Sequence, residues 1–136
     1  VEDPFEGHIL AWCVENYVPL RQLLEGEAHI VFYEDVCLNP ESEIRRLMSF
    51  LGEPFKKKAL EVVQRPSALS RQDSAINLGI SLISAWRDHI TKDQAIRAME
   101  LLEVFGLHRI YSESARPLVD ARECLRVFRN SGQTTS

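Results

Sequence analysis

Two adjacent carboxylates, Glu34 and Asp35, are the side chains of this sequence best placed for acid–base chemistry. They directly follow a short apolar segment, Ala28 to Tyr33, whose composition is typical of a β-strand. Carboxylates at the carboxyl end of a strand are a common position for chemistry in α/β proteins. The same side chains can instead accept hydrogen bonds from backbone amides in a turn that ends the strand. The sequence leaves both interpretations open.

Three arginines offer a second kind of chemistry, the binding of an anion. Arg65, Arg71 and Arg87 carry planar guanidinium groups, which suit phosphate or sulfate. Surface ion pairs, which contribute little stability, are the alternative for all three. The histidines are expected to be structural, although His89 could titrate near neutral pH.

The sequence lacks the local motifs of several common sites. It contains neither a GxxxxGK[ST] or GxGxxG phosphate loop nor a GxSxG or HExxH motif. Its three cysteines form no CxxC pair and no cluster with histidine, so we predict three reduced thiols and no metal site. Reduced thiols, and an acidic amino-terminal stretch that is unlike a signal peptide, favour a cytoplasmic location.

Length and charge argue against further classes of protein. The chain has 136 residues, of which 16 are lysine or arginine and 20 are acidic, and its net charge is −4. This balance argues against nucleic acid as a partner, because binding to its phosphates requires a basic surface. No apolar run reaches the roughly 18–20 residues of a membrane-spanning helix. The chain opens with valine rather than methionine, which is expected of an altered start, a processed chain or a piece of a longer protein.

Hydrophobic periodicity predicts a mostly helical chain that would position these side chains. A first helix runs from His8 to Leu24, with a kink or a break expected at Pro19. Asn39 and Pro40 are typical of a helix start, and that helix is expected to end at Gly52.

Three more helices are predicted towards the carboxyl terminus. The first is short and covers residues 54–63. The second begins with a capping box formed by Thr91 and Gln94, and it ends at Gly106. The third covers residues 117–128 and precedes a tail that is expected to fray.

One short strand, Ala28 to Tyr33, is predicted because the segment is β-branched, aromatic and apolar on both faces. A single strand leaves its backbone amides and carbonyls without partners. We therefore expect the strand either to pair with another chain, such as a second copy in a homodimer, or to have lost its neighbours.

The order of several segments resembles the sulfotransferases that use 3′-phosphoadenosine 5′-phosphosulfate (PAPS), including the bacterial type. The similarity runs from about Gly7 to Tyr111. The segments that carry it are VFYED at 31–35, NPE at 39–41, IRRLMSFLG at 44–52, RPSALSR at 65–71, SAWRDHIT at 84–91 and EVFGL at 103–107. The resemblance implies the carboxyl-terminal part of an α/β, P-loop-like fold for residues 1–112, with residues 113–136 as a separate helix and tail.

The resemblance also implies two contacts with the donor nucleotide. Tyr33 falls where the family has a tyrosine near the adenine, and Ser67 falls near another position that contacts the adenine. An aromatic face and a small hydroxyl are suitable partners for the face and the edge of this base. A plain core aromatic remains the alternative role for Tyr33.

Several parts of the family's pattern have no match in this chain. The phosphosulfate-binding loop, the catalytic histidine and the first 3′-phosphate-binding arginine and serine lie in the family's amino-terminal half and are missing here. At the later 3′-phosphate position, Asn77 to Gly79 is uncharged, and the family's dimer motif is reduced to Arg87 and Thr91. We therefore expect a sulfotransferase-like chain that is not catalytic alone and that needs a missing amino-terminal half or a partner. The alternative is a non-catalytic interaction module that self-associates through its strand edge or its helices.

Overall fold

The computed structural model describes residues 3–65 and 85–130, which divide into two compact units. The terminal unit comprises the described parts of Val1–Ile30 and Arg87–Ser136, and the central unit comprises those of Val31–Trp86. The α-helices of the described residues are α1 (Pro4–Gln22), α2 (Tyr33–Leu38), α3 (Pro40–Phe50), α4 (Lys57–Val63), α5 (Lys92–Val104) and α6 (Cys124–Asn130). Short 3₁₀ turns occupy Ala85–His89 and Leu107–Arg109. The prediction of a mostly helical chain is therefore confirmed.

Helix α1 begins four residues before the predicted start. Asp3 caps it by accepting a hydrogen bond of 2.9 Å from the Phe5 amide, and Pro4 occupies the first turn, where a missing N–H costs nothing. The helix continues through Pro19 to Gln22, so the predicted break at this proline is wrong. A turn then follows, in which Gly26 adopts a φ of +86°.

Helix α5 begins as the sequence predicted, with a complete capping box. The Thr91 hydroxyl accepts a hydrogen bond of 3.1 Å from the Gln94 amide, and the Gln94 side chain accepts one of 3.0 Å from the Thr91 amide. Arg97 on this helix forms an ion pair of 2.9 Å with Glu6 on α1. The two helices also pack against each other.

The core of the terminal unit combines both ends of its sequence. Its buried side chains are Cys13, Leu20, Leu102, Leu107, Ile110, Ala121, Cys124, Leu125 and Phe128. The ring of Tyr17 on α1 meets Phe105 and Phe128 edge-on, with ring centroids 5.6 and 5.9 Å away. Helix α6 begins at Cys124 rather than at residue 117. Residues 117–123 form bends and turns, and the Leu118 amide there bonds to the Ile110 carbonyl.

The central unit contains α2, α3 and α4. Helix α3 begins at Pro40 and buries Ile44, and the following Gly52 has a φ of +72°, as expected for a residue that ends a helix. The Asn39 side chain makes no capping hydrogen bond. Helix α4 begins at Lys57 rather than at residue 54.

The predicted strand from Ala28 to Tyr33 is wrong. Tyr33 is the first residue of α2, and the described residues contain no strand, only an isolated bridge between Glu25 and Ala28. Phe32 has the extended conformation of a strand, with φ −91° and ψ 131°. A strand nevertheless requires a hydrogen-bonded neighbour, and no described segment supplies a ladder. The argument for homodimer pairing through this strand edge therefore loses its basis.

Within residues 3–65 and 85–130, no helix combines the length and the apolar character needed to cross a membrane.

Candidate functional site

Tyr33 lies on the surface of the central unit, next to Phe32, whose side chain is buried in the core. The preceding Phe32 is buried, with 4% of its surface exposed, whereas Tyr33 is 51% exposed. Because the backbone at Phe32 is extended, the side chains of Phe32 and Tyr33 point to opposite sides. Phe32 therefore enters the core, and Tyr33 faces solvent. Tyr33 is therefore not a plain core aromatic, and its ring is accessible to a flat ligand.

Tyr33 interacts with a residue on the next turn of its own helix. Its side chain lies near that of Cys37, four residues later, and lowers the pKa of the Cys37 thiol. Burial raises the pKa of the Cys37 thiol, and this effect outweighs the lowering by Tyr33; the charge of Glu34 raises the pKa further. Cys37 therefore remains a neutral thiol near pH 7 and acts as a neighbour of Tyr33 rather than as a nucleophile.

Glu34 and Asp35 lie in the first turn of α2, not at the end of a strand. Negative charge is favourable at this end of a helix, because the amides of the first turn point towards it. Both residues are half-buried, and the Oε2 atom of Glu34 is buried with no hydrogen-bond partner among the described residues. Their position is explained by the helix start.

The arginines that could bind an anion are not brought together by the described residues. Arg71 lies outside the described residues, as does Ser67. Arg65 is exposed two residues after the end of α4, in the central unit. Arg87 belongs to the terminal unit and donates a hydrogen bond to the Glu113 carbonyl.

Two further arginines of the central unit are neutralised within their own helix. On α3, Arg45 pairs with Glu41 and Arg46 pairs with Glu43, each at 2.7 Å. The Arg45 guanidinium also lies 3.9 Å from the centroid of the Phe55 ring. These contacts occupy cationic groups that a bound phosphate would otherwise attract.

Neither the histidines nor the cysteines form a metal site in the part of the chain that the structure describes. No group of three or more potential ligands lies together there. His8 and His89 are exposed, and His29 and His108 are half-buried. All three cysteines are free thiols.

Sequence reasoning missed two features of this region. The contact between Tyr33 and Cys37 follows from their spacing of four residues, but the spacing has meaning only once the segment is known to be helical. The burial of Phe32 beside an exposed Tyr33 was hidden by the uniformly apolar composition of the predicted strand.

Comparison with known proteins identifies the family. A family model described as the sulfotransferase domain matches residues 8–104. Searches of curated proteins and of solved structures found no match. The matched residues include Tyr33 and all of α2 to α5, and they span well over half of the sequence. The chain therefore belongs to the sulfotransferase domain family.

Proposed function

We propose that this chain contributes the adenine-contacting part of the donor site in a sulfotransferase. The complete form would transfer a sulfuryl group from PAPS to a hydroxyl or amine acceptor. The observation that carries the proposal is the position of Tyr33, an exposed aromatic ring within the matched residues 8–104. A half-exposed ring anchored by a buried neighbour is suited to stacking on a base.

Within the proposed site, two residues would recognise the adenine. The face of Tyr33 would stack on the base. The Ser67 hydroxyl would bond to the edge of the base, because a hydroxyl can both donate and accept. Ser67 lies outside the described residues, so its role rests on the family resemblance alone.

The phosphates and the sulfuryl group of PAPS require more than these two residues. Sulfuryl transfer needs amide or cationic donors around the leaving phosphate and a base for the acceptor. The sequence has no phosphate-loop motif, its net charge is −4, and two arginines of the central unit are already paired with glutamates. These facts support the proposal that this chain alone does not catalyse transfer and that donor-binding residues come from outside it.

A turnover assay tests the catalytic part of the proposal. The chain is incubated with PAPS and a broad set of phenols, alcohols and amines, and sulfated product is measured against a heat-denatured control. We expect no product above that control. Turnover by this chain alone would show that its own residues suffice to bind the phosphosulfate and to activate the acceptor.

A further inference from the structure

Residues beyond the matched stretch contribute much of the core of the terminal unit. The family match ends at residue 104, yet Leu107, Ile110, Ala121, Cys124, Leu125 and Phe128 are all buried. Cys124 and Leu125 are only 1% and 4% exposed, although they belong to a helix of just seven residues. A helix this short is not stable on its own. Helix α6 is therefore stabilised by packing against α1. The same contact also stabilises α1.

The end of α1 is the part of that helix with the weakest support of its own. Pro19 has no N–H, so the last turn lacks the hydrogen bond that would reach back to Glu15. Besides the hydrogen bonds within α1, this end has the bond of the Leu23 amide to the Pro19 carbonyl, at 2.8 Å, and that of the Leu24 amide to the Glu27 carboxylate, at 2.7 Å. Additional contacts from elsewhere in the chain therefore matter most at this end.

Arg129 on α6 supplies such a contact across 106 residues of sequence. Its guanidinium donates a hydrogen bond to the carbonyl of Leu23, the residue that caps the carboxyl end of α1. A cation is favourable at this end of a helix, where the backbone carbonyls point outwards. Arg129 thus satisfies a carbonyl at the turn that Pro19 weakens.

Phe128, the residue before Arg129, makes an apolar contact with the same helix, α1. Its ring, 4% exposed, meets the ring of Tyr17 on α1 edge-on. Gly106 lies close beneath it, since a Cβ atom there would be 3.8 Å from the Phe128 ring. The aromatic contact and the arginine contact therefore act on neighbouring turns of α1.

The start of the same segment is also fastened to the terminal unit. Tyr111 meets Trp12 of α1 edge-on, with ring centroids 5.3 Å apart. Arg87 donates a hydrogen bond to the Glu113 carbonyl. The Leu118 amide donates to the Ile110 carbonyl at 2.7 Å.

We propose that residues 111–130 form a clasp that holds α1 in place, and that the last turn of α1 depends on Arg129. The functional unit of this chain then extends past the matched residues to Asn130. Removing or loosening the clasp releases the carboxyl-terminal half of α1, without any direct change to Tyr33.

Hydrogen exchange measured on the full chain tests the clasp. In Arg129→Ala, the amides of residues 20–24 should exchange about tenfold faster, since a hydrogen bond from a charged donor is lost. Arg126→Ala is the matched control: Arg126 is exposed and forms an ion pair with Glu123, the residue just before α6, so exchange in α1 should not change. In Phe128→Leu, faster exchange should extend to the amides around Tyr17.

The results that would overturn the clasp are equally specific. Exchange at residues 20–24 that is the same in Arg129→Ala as in Arg126→Ala would show that the arginine does not support this turn. Exchange around Tyr17 that stays unchanged in Phe128→Leu would show that α1 does not depend on α6. Neither outcome bears on the proposed donor site, because Tyr33 and its helix belong to the central unit.

Discussion

Raising the pH from 8 to 11 should destabilise the folded chain in part through the buried thiol of Cys124. This residue lies on α6 with 1% of its surface exposed, among the apolar side chains of the terminal unit. Burial raises the pKa of the Cys124 thiol from 9.0 to about 11, because the thiolate would lose its hydration there. The unfolded chain therefore releases the proton at a lower pH than the folded chain does.

The sign and the size of the effect follow from this difference in pKa. Below pH 9 the thiol is neutral in both states, and its contribution to stability is fully present. Between pH 9 and about 11 the unfolded state gains by ionising, so the free energy of unfolding falls. The full difference corresponds to about 3 kcal/mol.

The assay is urea unfolding in reducing buffer at steps from pH 8 to pH 10.5, for the parent chain and for Cys124→Ala. Lysines and tyrosines also titrate in this range, but their effect cancels in the difference between the two proteins. The parent should be the more stable at pH 8, and its advantage should shrink steadily above pH 9. Cys37→Ala serves as the comparison: it retains Cys124, so it should keep the part of the pH dependence that Cys124 contributes, although it also removes a thiol whose pKa is raised.

Parallel loss of stability in the parent and in Cys124→Ala would refute this reasoning. It would mean that the Cys124 thiolate is tolerated in the fold, either because water reaches it or because α6 detaches before the thiol ionises.

Two further predictions concern the ends of α5. Thr91→Ala should lower the free energy of unfolding by about 1 kcal/mol, because it removes the hydroxyl half of the capping box, and Thr91→Ser should restore most of the loss in the same urea assay. Gly106→Ala should cost about 1–2 kcal/mol, because Gly106 has a φ of +73° and an alanine there would be strained although it has room. Gly7→Ala should instead leave the free energy of unfolding unchanged or raise it, since Gly7 lies in α1 with nothing near a new Cβ atom. If both glycine variants lowered the free energy of unfolding equally, the positive φ of Gly106 would not be the cause.

Features that depend on neighbouring residues were predictable from the sequence. The capping box at Thr91 and Gln94 was confirmed because both partners lie within one turn, so its geometry is fixed as soon as the helix forms. The start of α3 at Pro40 and its end near Gly52 were predicted for the same reason.

Features that depend on distant residues were not predictable. The segment from Ala28 to Tyr33 has the composition of a strand, but β-propensity expresses a fit to neighbouring strands, and the described residues supply none. Helix α6 starts later than predicted, and the Leu118 amide in the segment before it bonds to the Ile110 carbonyl, a contact that hydrophobic periodicity does not reveal. The contact between Arg129 and Leu23 spans most of the chain and has no signature in the sequence.

The candidate site was predictable only in part. Tyr33 was selected by its resemblance to the family pattern, and the structure shows that its ring is exposed. The contribution of Ser67 and the division of the chain at residue 112 stay predictions. The central claim is therefore the one that concerns Tyr33 and the adenine.

Ligand-observed NMR with adenosine 3′,5′-bisphosphate tests this claim most directly. Saturation transfer from the parent chain to the adenine protons should reveal binding with a dissociation constant of about 1 mM or weaker, roughly −4 kcal/mol. The transfer should disappear in Tyr33→Ala and persist in Phe50→Ala, which removes another exposed aromatic ring from the same unit. Transfer that is unchanged in Tyr33→Ala, or binding in the micromolar range, would contradict the assignment of Tyr33 to the adenine.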